Sequence, residues 1–171
     1  KKFTQQFVTE RYPRDIEFRR DFINVGTIDI ETDYDTGFPH PNEASQTILA
    51  ITFKSSKSGL YRVWGYGDFN ESQALIKPVR YVKCKDEVEL LSKFLEFWSD
   101  PKNTPDVITG WNTRFFDIPY IVNRMAKVLG IHEINKLSPW QLQLEHRKIV
   151  RRGSENDVYE IPGIQTLDYM E

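Results

Sequence analysis

Hydrophobic and β-branched residues gather in four short runs, near positions 24–31, 47–54, 60–66 and 79–84, each bounded by Gly, Ser, Asn or Pro. Runs of that length and composition predict β-strands, and with no helical pattern between them they read as a meander. From Asp86 the period changes. Asp86-Glu-Val-Glu89 is a variant capping signal, an acid at the N-cap with a glutamate three residues on. Val88, Leu91, Phe94, Leu95 and Trp98 follow at helical spacing until Pro101 and Pro105 interrupt, which predicts a helix over about 87–99. Asp106-Val-Ile-Thr-Gly110 reads as a short buried strand. After it, Ile118, Ile121, Val122, Met125, Val128 and Leu129 form a second amphipathic stripe stopped by Gly130. The order is ββββ-α-β-α. Farther on, "HRKIVRRGSENDVYEI" (146–161) alternates on both sides of Gly153-Ser-Glu-Asn-Asp157 and predicts a β-hairpin.

The first strand ends in "DIET", residues 29–32. Side chains alternate along a strand, so Asp29 and Glu31 project from one face of the sheet, and two like charges that close repel unless something positive lies between them. The spacing alone is not diagnostic. Among 25 acidic residues it recurs at Asp15/Glu17, Glu31/Asp33, Asp33/Asp35, Glu87/Glu89 and Glu155/Asp157, and as a bare pattern it describes solvated surface acids.

Composition narrows the classes. At 171 residues, 39% hydrophobic and 28% charged, the chain suits one globular domain with a sizeable core. No run approaches the apolar length of a membrane span, and the opening Lys-Lys-Phe-Thr-Gln-Gln lacks the apolar core of a signal peptide. The single cysteine, Cys84, has no partner for an internal disulfide, which suits a reducing cytoplasm. A net charge of −2 provides no overall basic field, so a nucleic-acid partner would be held by local contacts. The chain starts without methionine and breaks off at "IQTLDYME", as a piece of a larger protein would. Residues 1–21, with Arg11, Arg14, Arg19 and Arg20, form an N-terminal segment that either packs on this domain or belongs to a preceding one.

The element order resembles the ribonuclease H-like fold of metal-dependent nucleases. "IDIET" followed downstream by "TGWNTRFFDIPYIVNR" resembles the first two exonuclease motifs of family B DNA polymerases, D-x-E and N-x-x-x-F-D. "GFPHP", "GIHEINKLSPW" and "IQTLDYME" are similar to segments of the T-even-like phage enzymes. The likeness runs over 22–171. It implies an α/β exonuclease fold with a mixed sheet, flanking helices and an inserted hairpin, and 3′→5′ proofreading of a DNA primer end. Its implied cofactor is a pair of Mg²⁺ or Mn²⁺ ions, which in such sites stand roughly 3.5–4 Å apart and serve the attacking and leaving oxygens. By the resemblance, Asp29 would bridge both ions, Glu31 would bind the nucleophile-side ion, and Asp117 would hold the second through water. Implied partners are the single-stranded 3′ primer end, the polymerase domains of the same chain, a sliding clamp and other replisome proteins, with no membrane, in the cytoplasm of a host cell. A noncatalytic single-strand-binding or interaction module of the same fold and a stand-alone RNA exonuclease are the competing readings.

Several residues carry two readings. Asp117, two positions before Pro119, could cap a helix as well as hold a metal. Asn112 could satisfy a turn, and by the resemblance it stands beside the 3′-terminal nucleotide. Phe116 suits a core and is also a candidate DNA contact, whereas Phe38, among Gly37, Pro39 and Pro41, does not suit a core, and the resemblance makes it a wedge against the last bases of a single strand. His40, His132 and His146 lack an H-x-x-x-x-D context and read as surface residues. On the hairpin, Arg147, Lys148, Arg151 and Arg152 are either a solvated basic face or phosphate contacts that help keep strands apart. The family's third motif, Y-x-x-x-D, is not found, and Asp168 lies in the "LDY" segment that precedes it in the family. Without that tyrosine and aspartate the chain alone is expected to act weakly or not at all.

Overall fold

The computed structural model describes residues 3–14, 17–35, 37–151 and 153–170. After a first helix, α1 (Phe3–Arg11), the chain builds strands β1 (Val25–Thr32), β2 (Ile48–Ser55), β3 (Tyr61–Gly65) and β4 (Val79–Lys83). Helix α2 (Glu87–Ser99), strand β5 (Val107–Gly110) and helix α3 (Asp117–Val128) follow. The described chain closes with a hairpin of β6 (Glu145–Arg151) and β7 (Ser154–Glu160) and with β8 (Gln165–Asp168). Among the described residues six strands form one mixed sheet in the order β4-β3-β2-β1-β5-β8, and the hairpin pairs as a separate two-stranded sheet.

Strands β1, β2 and β3 run antiparallel as a meander. The fourth strand departs from the expected meander and lies parallel to β3. A parallel neighbour requires a crossover of about a dozen residues, and residues 66–78 provide it around a 3₁₀ turn at Glu71–Gln73. That turn is tied to its destination where Glu71 Oε1 accepts the amide of Tyr81 at 2.6 Å. On the other side of β1, strands β5 and β8 are both parallel to it in sense.

The core lies between the sheet and α2 and α3. Ile28 and Ile30 of β1, Ile51 and Phe53 of β2 and Ile108 of β5 meet Leu91, Phe94, Leu95 and Trp98 of α2 and Ile118, Ile121, Val122 and Met125 of α3. Asp86 caps α2 as its spacing predicts, accepting the amide of Glu89 at 2.9 Å. One stripe residue differs: Val88 is exposed, because the inward place one turn before Leu91 belongs to Glu87, which meets Arg124 there. The entry to β1 is fixed by polar contacts. Buried Asn24 donates its amide to Asp106 Oδ2 at 2.6 Å, and its side chain reaches the carbonyls of Asn103 and Thr104, which sets β1 between β2 and β5.

Among the described residues, no helix is long and apolar enough to cross a membrane. The side chains of Phe3, Phe7, Tyr12 and Phe18 in the N-terminal segment are exposed.

Candidate active site

Along β1, burial alternates strictly. Gly26, Ile28 and Ile30 are buried and Thr27, Asp29 and Glu31 exposed, so the two acids share the face turned away from the helices. Opposite them the ladder is irregular. Glu31 pairs with Ala50 and Thr32 with Ile48, and Leu49 is skipped. A bulge at this place adds local twist where the acids project.

Asp117 reaches the same end of β1 from the other side. The parallel pairing of β1 with β5 ends at Thr27 and Thr109, and beyond it Asp117 Oδ1 accepts the amide of Ile30 at 3.1 Å. The capping role is not what the structure uses. Asp117 is the first residue of α3, and Phe116 holds the N-cap position and makes no side-chain capping hydrogen bond. With 3% of its surface exposed, Asp117 has its carboxyl pushed up to about 7, first by burial and next by the negative charge of Asp29, with Asp168 adding a smaller push. Asp29, though exposed, is itself raised by the partial desolvation of its carboxyl. The charges acting on Asp117 are thus negative ones.

The turn that carries the chain from β5 into α3 is held by backbone geometry. A Cβ on Gly110 would lie 2.6 Å from the carbonyl oxygen of Ile28 and 2.2 Å from Thr113 Oγ1, so the close approach of β5 to β1 requires glycine. Asn112 adopts a left-handed φ of 58°, tolerable for asparagine, and its carbonyl accepts the amides of Phe115 and Phe116. Asp168, at the end of β8, completes the turn. Its carboxylate accepts the amides of Asn112 at 3.1 Å, Arg114 at 2.8 Å and Met170 at 2.8 Å. This role was not apparent from its place in the "LDY" segment.

Beside the turn opens a cleft of about 410 Å³, lined in part by Phe38, Asn112, Phe115, Phe116 and Arg151. Four residues singled out in the sequence therefore meet in one place. Phe38 is 87% exposed, with its ring 5.8 Å from that of Phe116, and Phe116 in turn lies 5.7 Å from Tyr120. Arg151 holds its guanidinium 4.6 Å over the Phe115 ring and donates to the carbonyl of Met170.

The remaining hairpin cations are arranged differently. Arg147 pairs with Glu145 at 2.7 Å and Glu160 at 3.3 Å, and Lys148 with Glu155 at 3.1 Å, so their charges are already met within the hairpin. Arg152 lies outside the described residues. The hairpin is tighter than its sequence suggests, since Arg151 pairs directly with Ser154 and residues 154–157 belong to the second strand. Gly153, at φ 81°, allows so short a turn. His40, His132 and His146 are all exposed, and His146 binds Asp157 at 2.8 Å. Among the described residues, no group of three His, Cys, Asp or Glu side chains is gathered closely enough to hold a metal ion.

A second polar constellation escaped the sequence reading. Tyr120, Asn123, Arg124 and Lys127 line one face of α3 and all donate to carbonyls of the 41–46 segment. Their i, i+3, i+4, i+7 spacing was visible, but it is also the signature of any solvated helix face.

Residues 5–171 match the family model for the exonuclease domain of DNA polymerase family B. The chain is 30% identical over 196 aligned residues to the DNA-directed DNA polymerase of Escherichia phage RB69, and 27% identical over 191 to that of Enterobacteria phage T4. Each comparison covers 99% of this chain and 21% of the phage protein. The DNA polymerase delta catalytic subunit of Caenorhabditis elegans is 40% identical over 70 residues, covering 41% of this chain and 6% of that protein.

Proposed function

The chain belongs to the exonuclease domain family of family B DNA polymerases, and from that premise we propose that it removes nucleotides from the 3′ end of a DNA primer as the proofreading part of a replicative polymerase. One observation carries the reading: buried Asp117 is held against the end of β1 by the Ile30 amide, where the charge of Asp29 acts on it, and its neighbour Phe116 lines a cleft together with the exposed Phe38. Exonuclease domains of this family generally depend on divalent metal ions. The carboxylate donors suit Mg²⁺ or Mn²⁺ in chemistry, since carboxylate oxygens are hard ligands and a buried acid whose charged neighbours are acids calls for a cation; their spacing here is not that of a closed metal site, so an ion would have to draw them together. Asp29, Glu31 and Asp117 would hold the ions, two in the complete site. When bound, divalent ions supply an activated water and offset charge on the attacking and leaving oxygens.

The chain's own residues seat the strand. Asp29 is fixed by the ladder of a central strand, and Asp117 is oriented by the Ile30 amide. Asn112 stands beside the terminal nucleotide at the cleft, and Phe38 and Phe116 offer their rings to the last bases. Among the described hairpin cations Arg151 is the one that lines this cleft, and it takes the phosphate contact in preference to Arg147 and Lys148. Because the chain spans 21% of the phage relatives it matches, the polymerase domains, a sliding clamp and other replisome proteins, and action in a host-cell cytoplasm, belong to the same proposal.

The test is Asp29→Ala in the complete polymerase, assayed by single-turnover degradation of a labelled single strand. Loss of degradation with nucleotide incorporation nearly intact is expected. A variant cutting within about tenfold of the parent, ~1.4 kcal/mol in barrier, contradicts the assignment. Parallel assays on RNA separate this function from that of an RNA exonuclease, and a parent that binds single strands without cutting them identifies a binding module.

A further inference from the structure

We propose that Arg124 is a positioning residue for the substrate strand: it locks the loop between β1 and β2 so that Phe38 stands over the cleft. The inference rests on the exonuclease reading above for its substrate, and on the packing of α3 for its mechanism.

Arg124 lies at the centre of the helix face that grips this loop. Its Nε and Nη2 donate to the two carboxylate oxygens of Glu87 at 2.8 and 2.7 Å, a bidentate fork that lysine cannot reproduce. Its Nη1 donates to the carbonyls of Ala44 at 3.2 Å and Ser45 at 3.0 Å. Glu87 Oε1 also accepts the amide of Ile48, the first residue of β2, at 2.7 Å. One ion pair, with side chains 16% and 10% exposed, therefore ties the loop to α2, α3 and β2 together.

The loop needs such a tie. Ala44 is fully buried at a φ of 38°, a left-handed conformation that a residue other than glycine keeps only where its surroundings over-determine it. Its amide is held by the His40 carbonyl at 2.8 Å and its own carbonyl by Arg124. From there the constraint runs to the aromatic residue, because Gln46 Nε2 donates to the carbonyl of Gly37 at 2.9 Å, next to Phe38, while Tyr120 Oη donates to the Gln46 carbonyl at 2.8 Å. The hairpin joins the same assembly where Tyr159 Oη donates to Asn123 Oδ1 at 2.6 Å and Asn123 Nδ2 to the Pro41 carbonyl at 2.9 Å. The helix that begins with Asp117 thus also sets the wall against which a strand end would stack.

Two measurements test this. The first is hydrogen exchange without DNA on Arg124→Lys, which keeps the charge but loses the fork. Amides of Gly37, Glu43 and Ala44 should exchange at least about tenfold faster, and those of β1 and α2 at parental rates, which also shows that the variant is folded. The second is single-strand degradation by the complete polymerase carrying Arg124→Lys, Phe38→Ala or both. Each single variant should raise KM about fivefold with kcat within about twofold, and the double variant should be no worse than Phe38→Ala. Unchanged loop exchange, additive KM effects, or a fall in kcat at constant KM each overturns the proposal. If the loop exchanges faster yet Phe38→Ala keeps the parental KM, the placing of the strand on Phe38 fails, and the role of Arg124 toward substrate fails with it.

Discussion

Replacing Asp117 by asparagine should stabilise the metal-free protein, and do so more at high pH than at low. The carboxyl has an ordinary value of 3.8 and is pushed up to about 7 in the fold. Between those values the folded state keeps a proton that the unfolded state has released. The stability contributed by the protonated form is therefore fully present below about 3.8, declines through the window and is lost above about 7. Roughly three pH units at 1.36 kcal/mol each set a ceiling of about 4 kcal/mol. Asparagine retains an oxygen for the Ile30 amide but adds an NH₂ that needs an acceptor in a buried site, which costs about 1–3 kcal/mol. A net gain of about 1–3 kcal/mol at pH 8, shrinking or reversing at pH 5, follows. Urea unfolding of both proteins in chelator at the two pH values measures it, and the difference between proteins cancels the carboxylates that do not interact with Asp117. A variant less stable than the parent at pH 8, or an increment equal at both pH values, would refute the account of Asp117. Adding Mn²⁺ should then stabilise the parent more than the variant, which keeps Asp29 and Glu31 but loses Asp117, because ligand binding to the folded state alone raises stability.

Asp168→Ala should cost about 2–4 kcal/mol in a urea melt, since it strands amides in the turn that holds Asn112; a cost under about 0.5 kcal/mol would show that the turn holds itself. Arg151→Ala should weaken single-strand binding and lower the slope of log Kd against log salt by about 0.7, whereas Arg147→Ala, already paired with Glu145 and Glu160, should change neither; equal effects would return all the hairpin cations to the same standing.

Much of this site could be read in the sequence because burial on one face of β1 forces alternation, and alternation puts Asp29 and Glu31 side by side on the other. The capped start of α2 and the glycine stop of α3 were legible for similar reasons, being local and stereochemical. The direction of β4 was not. It depends on an aperiodic crossover, and a strand's own residues look alike whichever way it runs. The tight hairpin turn was blurred because Ser154, Glu155, Asn156 and Asp157 are turn-forming types that here continue a strand. The hold of Arg124 and its neighbours on the 41–46 segment left no trace, since their partners are backbone carbonyls, which every residue has. Asp117 was legible as an acid at a helix start, yet its partner, the amide of Ile30, is equally anonymous. The cleft combines both cases: Phe38 stood out as an aromatic residue in a loop, while the packing of Arg151 over Phe115 needed three-dimensional contact to be seen.

The most direct test of the central claim is anomalous diffraction at the manganese edge from crystals of this domain grown with Mn²⁺ and a short single strand. The account predicts a peak within about 2.2 Å of an Asp29 carboxylate oxygen, lost in Asp29→Ala crystals that keep the strand in the cleft. A fully loaded strand with no manganese at Asp29, or manganese bound solely at acids away from Asp29 and Asp117, would contradict it.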